Sequence, residues 1–265
     1  MRTMTPFLRE VGRGPAVVCL HSNASSSSQW RALMKRLAPS HRVVAIDAIG
    51  AGKSSPWPDD SGPTLSDEAA FIEPVLAATE QPFVLIGHSY GAAIALVAAL
   101  ARPERIRALV LYEPPLIALL EEEAPGQDAS LELRRAAGDA AASVAVGDRA
   151  GAALRFIDYW MGTGSFEAMP AARQAPIAAS MDPIARWARA LVEEPTPLAA
   201  FRALAMPVLF MVGSESPASS RAVARLLVKT LPNVTAMTCE GLGHMGPVTH
   251  PDIVNDAIAA FIARR

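Results

Sequence analysis

Short continuous runs of apolar residues recur along the chain, and each has the length of one buried strand. They cover residues 16–20, 42–46, 83–86, 106–112, 208–212 and 234–238, with residues 7–11 as an edge-strand candidate. Continuous apolar runs are typical of parallel strands that are covered on both faces. The pattern therefore predicts a sheet buried between two layers.

The segments between these runs favour helices. Residues 30–37 repeat apolar side chains at i, i+3, i+4 and i+7, and residues 64–78 begin with a Thr-x-x-Asp pattern typical of a helix N-terminus. Further helices are predicted at 90–101, 221–231 and 251–263. Strands that alternate with helices predict an α/β fold, with a mostly parallel sheet of about eight strands flanked by helices on both faces.

The alternation stops between residues 116 and 197. Pro114 and Pro115 end the strand before this segment, and the strand signals then vanish. Helical stretches replace them at 116–123, 129–142, 150–161 and 185–194, separated by Pro and Gly. We interpret residues 116–197 as a helical insert in an α/β core formed by residues 1–115 and 198–265.

Composition narrows the class of protein without identifying a function. The chain has 265 residues, a net charge of −2 and no basic run, which argues against a nucleic acid or an anionic membrane surface as a partner. The N-terminus has no apolar core of signal-peptide length and no apolar run reaches the length of a membrane span, so we expect a cytoplasmic protein. No spacing of His, Cys, Asp or Glu indicates a metal site, and we expect no cofactor, with a monomer or homodimer as the assembly.

The most informative stretch is Gly87-His88-Ser89-Tyr90-Gly91, which lies between the strand at 83–86 and the helix that follows. A strand that turns directly into a helix holds the residue at the apex in a strained backbone conformation, and the two glycines allow the close approach of both backbones. The serine at the apex would be exposed above the sheet beside the helix N-terminus, which favours developing negative charge. Ser89 is therefore the candidate nucleophile.

With this turn in an alternating chain, the sequence resembles the α/β-hydrolase fold family, in its serine-nucleophile branch. Four features carry the resemblance: His21-Ser22-Asn23 after a strand, the loop from Asp47 through Gly50-Ala51-Gly52-Lys53-Ser54, the turn at Ser89, and Gly243-His244 after the last strand. In this family the insert would be a variable lid, placed after the sixth strand. The strand order of the family would also put Cys19 and Cys239 about four strands apart, or roughly 19 Å, too far for a disulfide.

A serine nucleophile needs a general base and an acid to orient that base. His244 is the candidate base, because it follows the last strand on a glycine-containing loop in the chain order Ser, acid, His. The oxyanion of a carbonyl substrate needs N–H donors. The resemblance assigns them to the backbone of Tyr90 and of Asn23, although Ser22 stands where the family usually has glycine.

The acid is a departure from the family pattern. The position that usually holds it, three residues after Gly213, is Ser216 in this chain. Two carboxylates remain as candidates: Glu215, one residue earlier, and Glu113, at the end of the preceding strand, where some haloalkane dehalogenases of the family keep their acid. A carboxylate at the end of a buried strand, followed by two prolines, is an unusual place for a surface charge. We favour Glu113, with Glu215 as the runner-up.

The resemblance implies an enzyme that forms an acyl-enzyme with a small or medium, largely apolar ester or related carbonyl substrate. The expected substrate pocket consists of Phe156, Tyr159, Trp160, Trp187 and Met245, although packing of the insert on the core explains such residues equally well. A serine nucleophile argues against the dehalogenase and epoxide-hydrolase branches, which use Asp. Hydrolysis of a C–C bond, perhydrolysis, cyanohydrin cleavage and a non-catalytic small-ligand receptor remain as alternatives.

Overall fold

The apolar runs of the sequence form the strands of a single sheet. The structure is a computed structural model that describes residues 4–59 and 61–265. Within these residues the sheet has seven strands, close to the predicted eight: β1 Leu8–Val11, β2 Ala16–Leu20, β3 Arg42–Ile46, β4 Phe83–His88, β5 Ile106–Tyr112, β6 Val208–Gly213 and β7 Val234–Cys239. Their order is β1-β3-β2-β4-β5-β6-β7, and all pairs are parallel except β1 with β3. Parallel order brings the carboxyl ends of β2, β4, β5 and β6 to one edge of the sheet.

Helices cover both faces of the sheet, as the alternation predicted. The helices of the core are α1 Arg31–Leu37, α2 Leu65–Ala77, α3 Tyr90–Ala101, α9 Ala218–Thr230, α10 Gly246–Thr249 and α11 Pro251–Ile262. Successive strand residues point to opposite faces. Val18 and Leu85, for example, pack in one apolar cluster with α2, α3 and α9, while Val17 and Val84 pack in a second cluster with α1 and α11. Within the described residues, no helix is both long and apolar enough to cross a membrane.

The predicted capping pattern at the start of α2 is present. Thr64 accepts a hydrogen bond from the N–H of Asp67 through its hydroxyl, and the Asp67 carboxylate accepts one from the N–H of Thr64. These bonds satisfy two N–H groups that would otherwise have no partner at the end of the helix.

The insert lies between β5 and β6. It contains α4 Ala118–Glu123, α5 Asp128–Ala145, α6 Arg149–Met161, α7 Ala171–Ala179 and α8 Ile184–Val192. The sequence placed the insert after a sixth strand, whereas β5 is the fifth strand of the described chain. Helix α7 was not predicted: it contains Pro176, which is disfavoured inside a helix, and none of its residues is buried.

The two cysteines are far apart. Cys19 lies on β2 and Cys239 on β7, four positions away in the observed strand order. Both are buried and free. The prediction that they do not form a disulfide is therefore confirmed, since a disulfide needs Cα atoms within about 7 Å.

Candidate active site

The turn between β4 and α3 has the strained geometry that its sequence predicted. Ser89 has a φ of 55° and a ψ of −122°, a region that residues with a Cβ rarely adopt. A Cβ at Gly87 would lie 2.4 Å from the Cα of Ala92, and a Cβ at Gly91 would lie 2.5 Å from the carbonyl carbon of Leu20. Both glycines are therefore required for the tight turn that presents Ser89 at the carboxyl edge of the sheet.

Three side chains from distant parts of the chain form one line of hydrogen bonds at this edge. Ser89 Oγ lies 2.8 Å from His244 Nε2, and His244 Nδ1 lies 2.7 Å from Glu113 Oε2. All three residues are buried, Glu113 and His244 at 1% exposure. Because a carboxylate only accepts hydrogen bonds, Nδ1 carries the proton and the lone pair of Nε2 faces the serine hydroxyl. This tautomer is the one that can accept a proton from Ser89.

Glu113 is held by donors on both of its oxygens. Its Oε1 accepts hydrogen bonds from the N–H of Gly213 at 2.7 Å and from Ser216 Oγ at 2.5 Å, while Oε2 accepts from His244. Burial by itself raises the pKa of Glu113, but the bonds from His244, Gly213 and Ser216 outweigh it and hold the pKa below its ordinary value. Glu113 is therefore an ionised hydrogen-bond acceptor.

The runner-up carboxylate points elsewhere. Glu215 is exposed, and its backbone N–H donates to the carbonyl of Leu242. No hydrogen bond or ion pair joins its side chain to His244 within the described residues. Ser216, which occupies the usual acid position, donates to Glu113 instead.

The two N–H groups predicted to bind the oxyanion have no acceptor within the described part of the chain. Among the described residues, the N–H groups of Asn23 and Tyr90 donate to no protein acceptor. The N–H of Ser22 is already bonded to Gln29 Oε1 at 3.1 Å. The turn after β2 contains Ala24 at a φ of 53°, so this loop is strained like the turn at Ser89. Asn23 and Ser89 line the same cavity.

A network through Gln29 joins the separate parts of the site, and the sequence did not indicate it. The Gln29 oxygen accepts from the N–H and hydroxyl of Ser22, and its amide nitrogen donates to His88 Nδ1 at 3.0 Å. His88 Nε2 donates in turn to the carbonyl of His244 at 2.9 Å. Burial holds the pKa of His88 well below its ordinary value, so His88 is a neutral bridge. The only local signal was a glutamine that follows a run of serines.

A second buried residue outside the predicted set supports the nucleophile turn. Glu68 on α2 is fully buried, accepts from the N–H of Ile49 at 3.0 Å and from the hydroxyl of Tyr90 at 3.2 Å, and thereby links α2 to the residue that follows Ser89. Burial raises the pKa of Glu68 to about 8. This raised pKa favours a neutral carboxylic acid over a carboxylate at this position.

Ser89 opens into a narrow chamber beneath the insert, which we call the inner chamber. It spans about 550 Å³ of space between atoms, part of which is open to solvent, and none of its lining residues within the described chain is charged. Four of the five predicted pocket residues line it. The lining consists of Asn23, Ser89, Pro115, Ile117, Leu133, Ala136, Ala137, Phe156, Tyr159, Trp160, Ile184, Trp187, Ala188, Leu191 and Val192.

A wider and more polar space, the outer chamber, meets Ser89 from the other side. Its volume is about 1560 Å³, part of which is open to solvent. Met245, the fifth predicted pocket residue, lines this chamber and not the inner one. Polar walls come from the loop after β2, at Ser22, Ser25, Ser26 and Ser28, and apolar walls from α6 and α7. Within the described residues, no cluster of three or more His, Cys, Asp or Glu could hold a metal ion.

Fold and site together define a class of protein. The sequence profile of the alpha/beta hydrolase fold matches residues 15–251. The chain therefore belongs to the α/β-hydrolase fold family.

Individual relatives share this framework to different extents. A haloalkane dehalogenase from Agrobacterium fabrum is 36% identical over 108 residues, which are 40% of this chain and only 35% of that protein. A 2-(acetamidomethylene)succinate hydrolase from Mesorhizobium japonicum is 27% identical over 274 residues, covering 98% of this chain and 92% of that protein. The crystal structure of a hydrolase from Pseudomonas aeruginosa PA01 has a TM-score of 0.79 at 22% identity, covering 98% of this chain and 94% of that chain, which shows the fold alone. These similarities support a hydrolase activity.

Proposed function

We propose that the protein is a serine hydrolase that forms an acyl-enzyme on Ser89, with His244 as general base and Glu113 as the acid of the triad. The observation that carries the proposal is the unbroken line of hydrogen bonds from Ser89 Oγ through His244 to Glu113. A neutral hydroxyl needs such a base to become nucleophilic, and the base needs an acceptor to hold its tautomer.

Each step of the reaction has a group in place. As Ser89 Oγ bonds to the substrate carbonyl carbon, its proton moves to His244 Nε2, and the carbonyl oxygen becomes an oxyanion. The N–H groups of Asn23 and Tyr90 are the donors for that oxyanion. His244 then returns the proton to the leaving group as its bond to carbon breaks. A water molecule then attacks the acyl carbon as the same nitrogen takes its proton. His244 returns that proton to Ser89 Oγ as the bond between Oγ and the acyl carbon breaks, which releases the acid.

The chambers support an uncharged, largely apolar acyl group. A charged group in the inner chamber would lose its hydration without gaining a partner, since no lining side chain carries an opposite charge. The outer chamber has hydroxyl groups and access to solvent, which suits a polar leaving group and the incoming water. We therefore propose carboxylic esters, or related carbonyl compounds of this shape, as substrates.

The alternatives use the same residues differently. Perhydrolysis, cyanohydrin cleavage and C–C bond hydrolysis also need the serine of this turn and the histidine after β7, whereas a small-ligand receptor would need neither. The serine in place of Asp argues against dehalogenation, although a haloalkane dehalogenase is among the relatives.

A fluorophosphonate probe, together with a panel of p-nitrophenyl esters, tests the proposal. We expect one label per chain on the peptide that contains Ser89, and ester turnover that Ser89→Ala abolishes. Ser40→Ala, which removes the hydroxyl of an exposed serine, is the matched control and should behave like the wild type. Labelling at another residue, or turnover that survives Ser89→Ala, would contradict a nucleophilic Ser89.

A further inference from the structure

The indole of Trp160 lies almost flat on the imidazole of His244. The two ring centroids are 3.9 Å apart and the planes differ by 25°. Trp160 belongs to α6 in the insert, whereas His244 lies in the loop after β7 of the core. Both side chains are buried, Trp160 at 6% exposure and His244 at 1%. The contact therefore joins the insert directly to the candidate base.

Neighbours on α6 hold the indole in this position. The ring of Tyr159 packs edge-on against Trp160, with 4.8 Å between the centroids, and the ring of Phe156 does so at 6.3 Å. The hydroxyl of Tyr159 makes a 2.6 Å hydrogen bond with Ser219 on α9 of the core. Helix α6 is thus fastened to the core one residue away from the stacked indole.

We propose that Trp160 is a positioning residue for His244: its stack sets the orientation of the imidazole and shields the ring from water. The inference rests on the proposed function, in which His244 shuttles a proton between Ser89 and the leaving group. An imidazole that rotates out of line loses its bonds to both Ser89 and Glu113, and a flat aromatic contact limits that rotation. The face of an indole also attracts a cation, so the stack stabilises the imidazolium that forms when Ser89 attacks.

The proposal gives the insert a second role besides bounding the substrate. Trp160 lines both the inner and the outer chamber. While the bond between Tyr159 and Ser219 holds α6 on the core, the indole both borders the two chambers and aligns the base. Displacement of α6 would open the chambers and release the imidazole in the same movement.

Trp57 provides a control, because its half-buried indole lines neither chamber and makes no ring contact with His244 among the described residues. We would measure p-nitrophenyl acetate hydrolysis by Trp160→Ala, Trp160→Leu, Trp160→Phe and Trp57→Ala. The acetyl group is too short to depend on the far walls of the chamber. We expect kcat to fall about 3- to 30-fold in the Ala and Leu variants of Trp160, with KM changed less than about threefold. Trp160→Phe retains an aromatic face and should stay within about threefold of wild type, as should Trp57→Ala.

A readout independent of turnover is the NMR resonance of the His244 Nδ1 proton, which requires an ordered, water-excluded ring. We expect it in the wild type, in Trp160→Phe and in Trp57→Ala, and expect exchange with water to broaden it in Trp160→Leu. The Leu variant keeps the apolar volume, so it tests the stack even where Trp160→Ala does not fold. Equal kcat in Trp160→Leu and wild type, or an unchanged proton resonance, would overturn the role of Trp160. A wild type that does not label at Ser89 would refute the proposed function instead, and the resonance would still test the stack.

Discussion

Glu113 can reach His244 because its own backbone leaves β5 in an unusual conformation. Its φ is 48°, a left-handed value that a residue with a Cβ adopts at a cost on the order of 1 kcal/mol. The N–H of Gly213 and the hydroxyl of Ser216 hold the carboxylate after this turn. Ser216 therefore supports an acid located on the neighbouring strand, in place of being the acid itself.

At this scale the decisive comparison is between the two glutamates. In Glu113→Gln the side-chain amide can donate a hydrogen bond to the imidazole of His244 and so hold the wrong tautomer. We therefore expect kcat to fall on the order of 10²- to 10⁴-fold, with little change in KM. Glu215→Gln is the control, since its side chain is exposed, and it should lose less than about tenfold. Steady-state kinetics at equal folded fractions decides between them. If kcat falls more in Glu215→Gln than in Glu113→Gln, the acid is not Glu113.

At the scale of elements, α2 contributes more than packing to the site. Its residue Glu68 joins the loop after β3 to the side chain of Tyr90 on α3. Burial raises the pKa of Glu68 to about 8, whereas the pKa of the same side chain in the unfolded chain is near 4.5. Between these two pH values the folded protein keeps a proton that the unfolded chain has lost. The free energy of unfolding therefore falls as pH rises between those two values.

Glu68→Gln should remove this pH dependence. The amide oxygen can accept from Ile49 and the amide nitrogen can donate to the hydroxyl of Tyr90, so both bonds survive. We expect the stability of Glu68→Gln relative to wild type to increase between about pH 5 and about pH 8, as measured by urea unfolding at several pH values. Glu123→Gln, an exposed glutamate of α4, should show no such trend. A difference between Glu68→Gln and wild type that does not change with pH would mean that Glu68 is ionised in the folded protein.

At the scale of the whole molecule, the core and the insert differ in how firmly their helices are held. Helix α3 is nearly all buried under the sheet, while α7 has no buried residue and contains Pro176, which lacks an N–H. Helix α7 also borders the outer chamber, through Ala172, Arg173, Pro176 and Ile177. A helix with so little buried surface opens at a low free-energy cost.

We therefore expect α7 to be the mobile part of the lid. In hydrogen exchange followed by mass spectrometry, its amides should exchange much faster than those of α3, and faster than those of α8, which buries Ile184, Trp187 and Leu191. Covalent modification of Ser89 by a phosphonate with a bulky alkoxy group should slow exchange in α7, because that group occupies the outer chamber. Protection of α7 equal to that of α3 in the free protein would contradict a mobile lid.

Much of the framework could be predicted from local patterns in the sequence. The period of the apolar residues depends on the geometry of each strand or helix alone, which is why the strands at β2, β3 and β5 and the capping pattern at Thr64 were found with little error. The strained turn at Ser89 is equally local, since two glycines and a serine between a strand and a helix allow few other conformations. His244 was a candidate because it follows the last strand, in the chain order Ser, acid, His. Helix α7 was not predicted, because Pro176 inside it lacks the N–H of a helix interior.

The choice between Glu113 and Glu215 as the partner of His244 depends on tertiary structure. Both follow adjacent strands at the same edge of the sheet, and only the register of β5 against β6 and the left-handed turn at Glu113 decide which carboxylate meets the imidazole. Tertiary structure also decides the hydrogen bonds through Gln29 and Glu68 and the stack of Trp160 on His244. They join residues from different elements, and their geometry depends on strand order and helix packing, for which no local pattern of residues contains a signal.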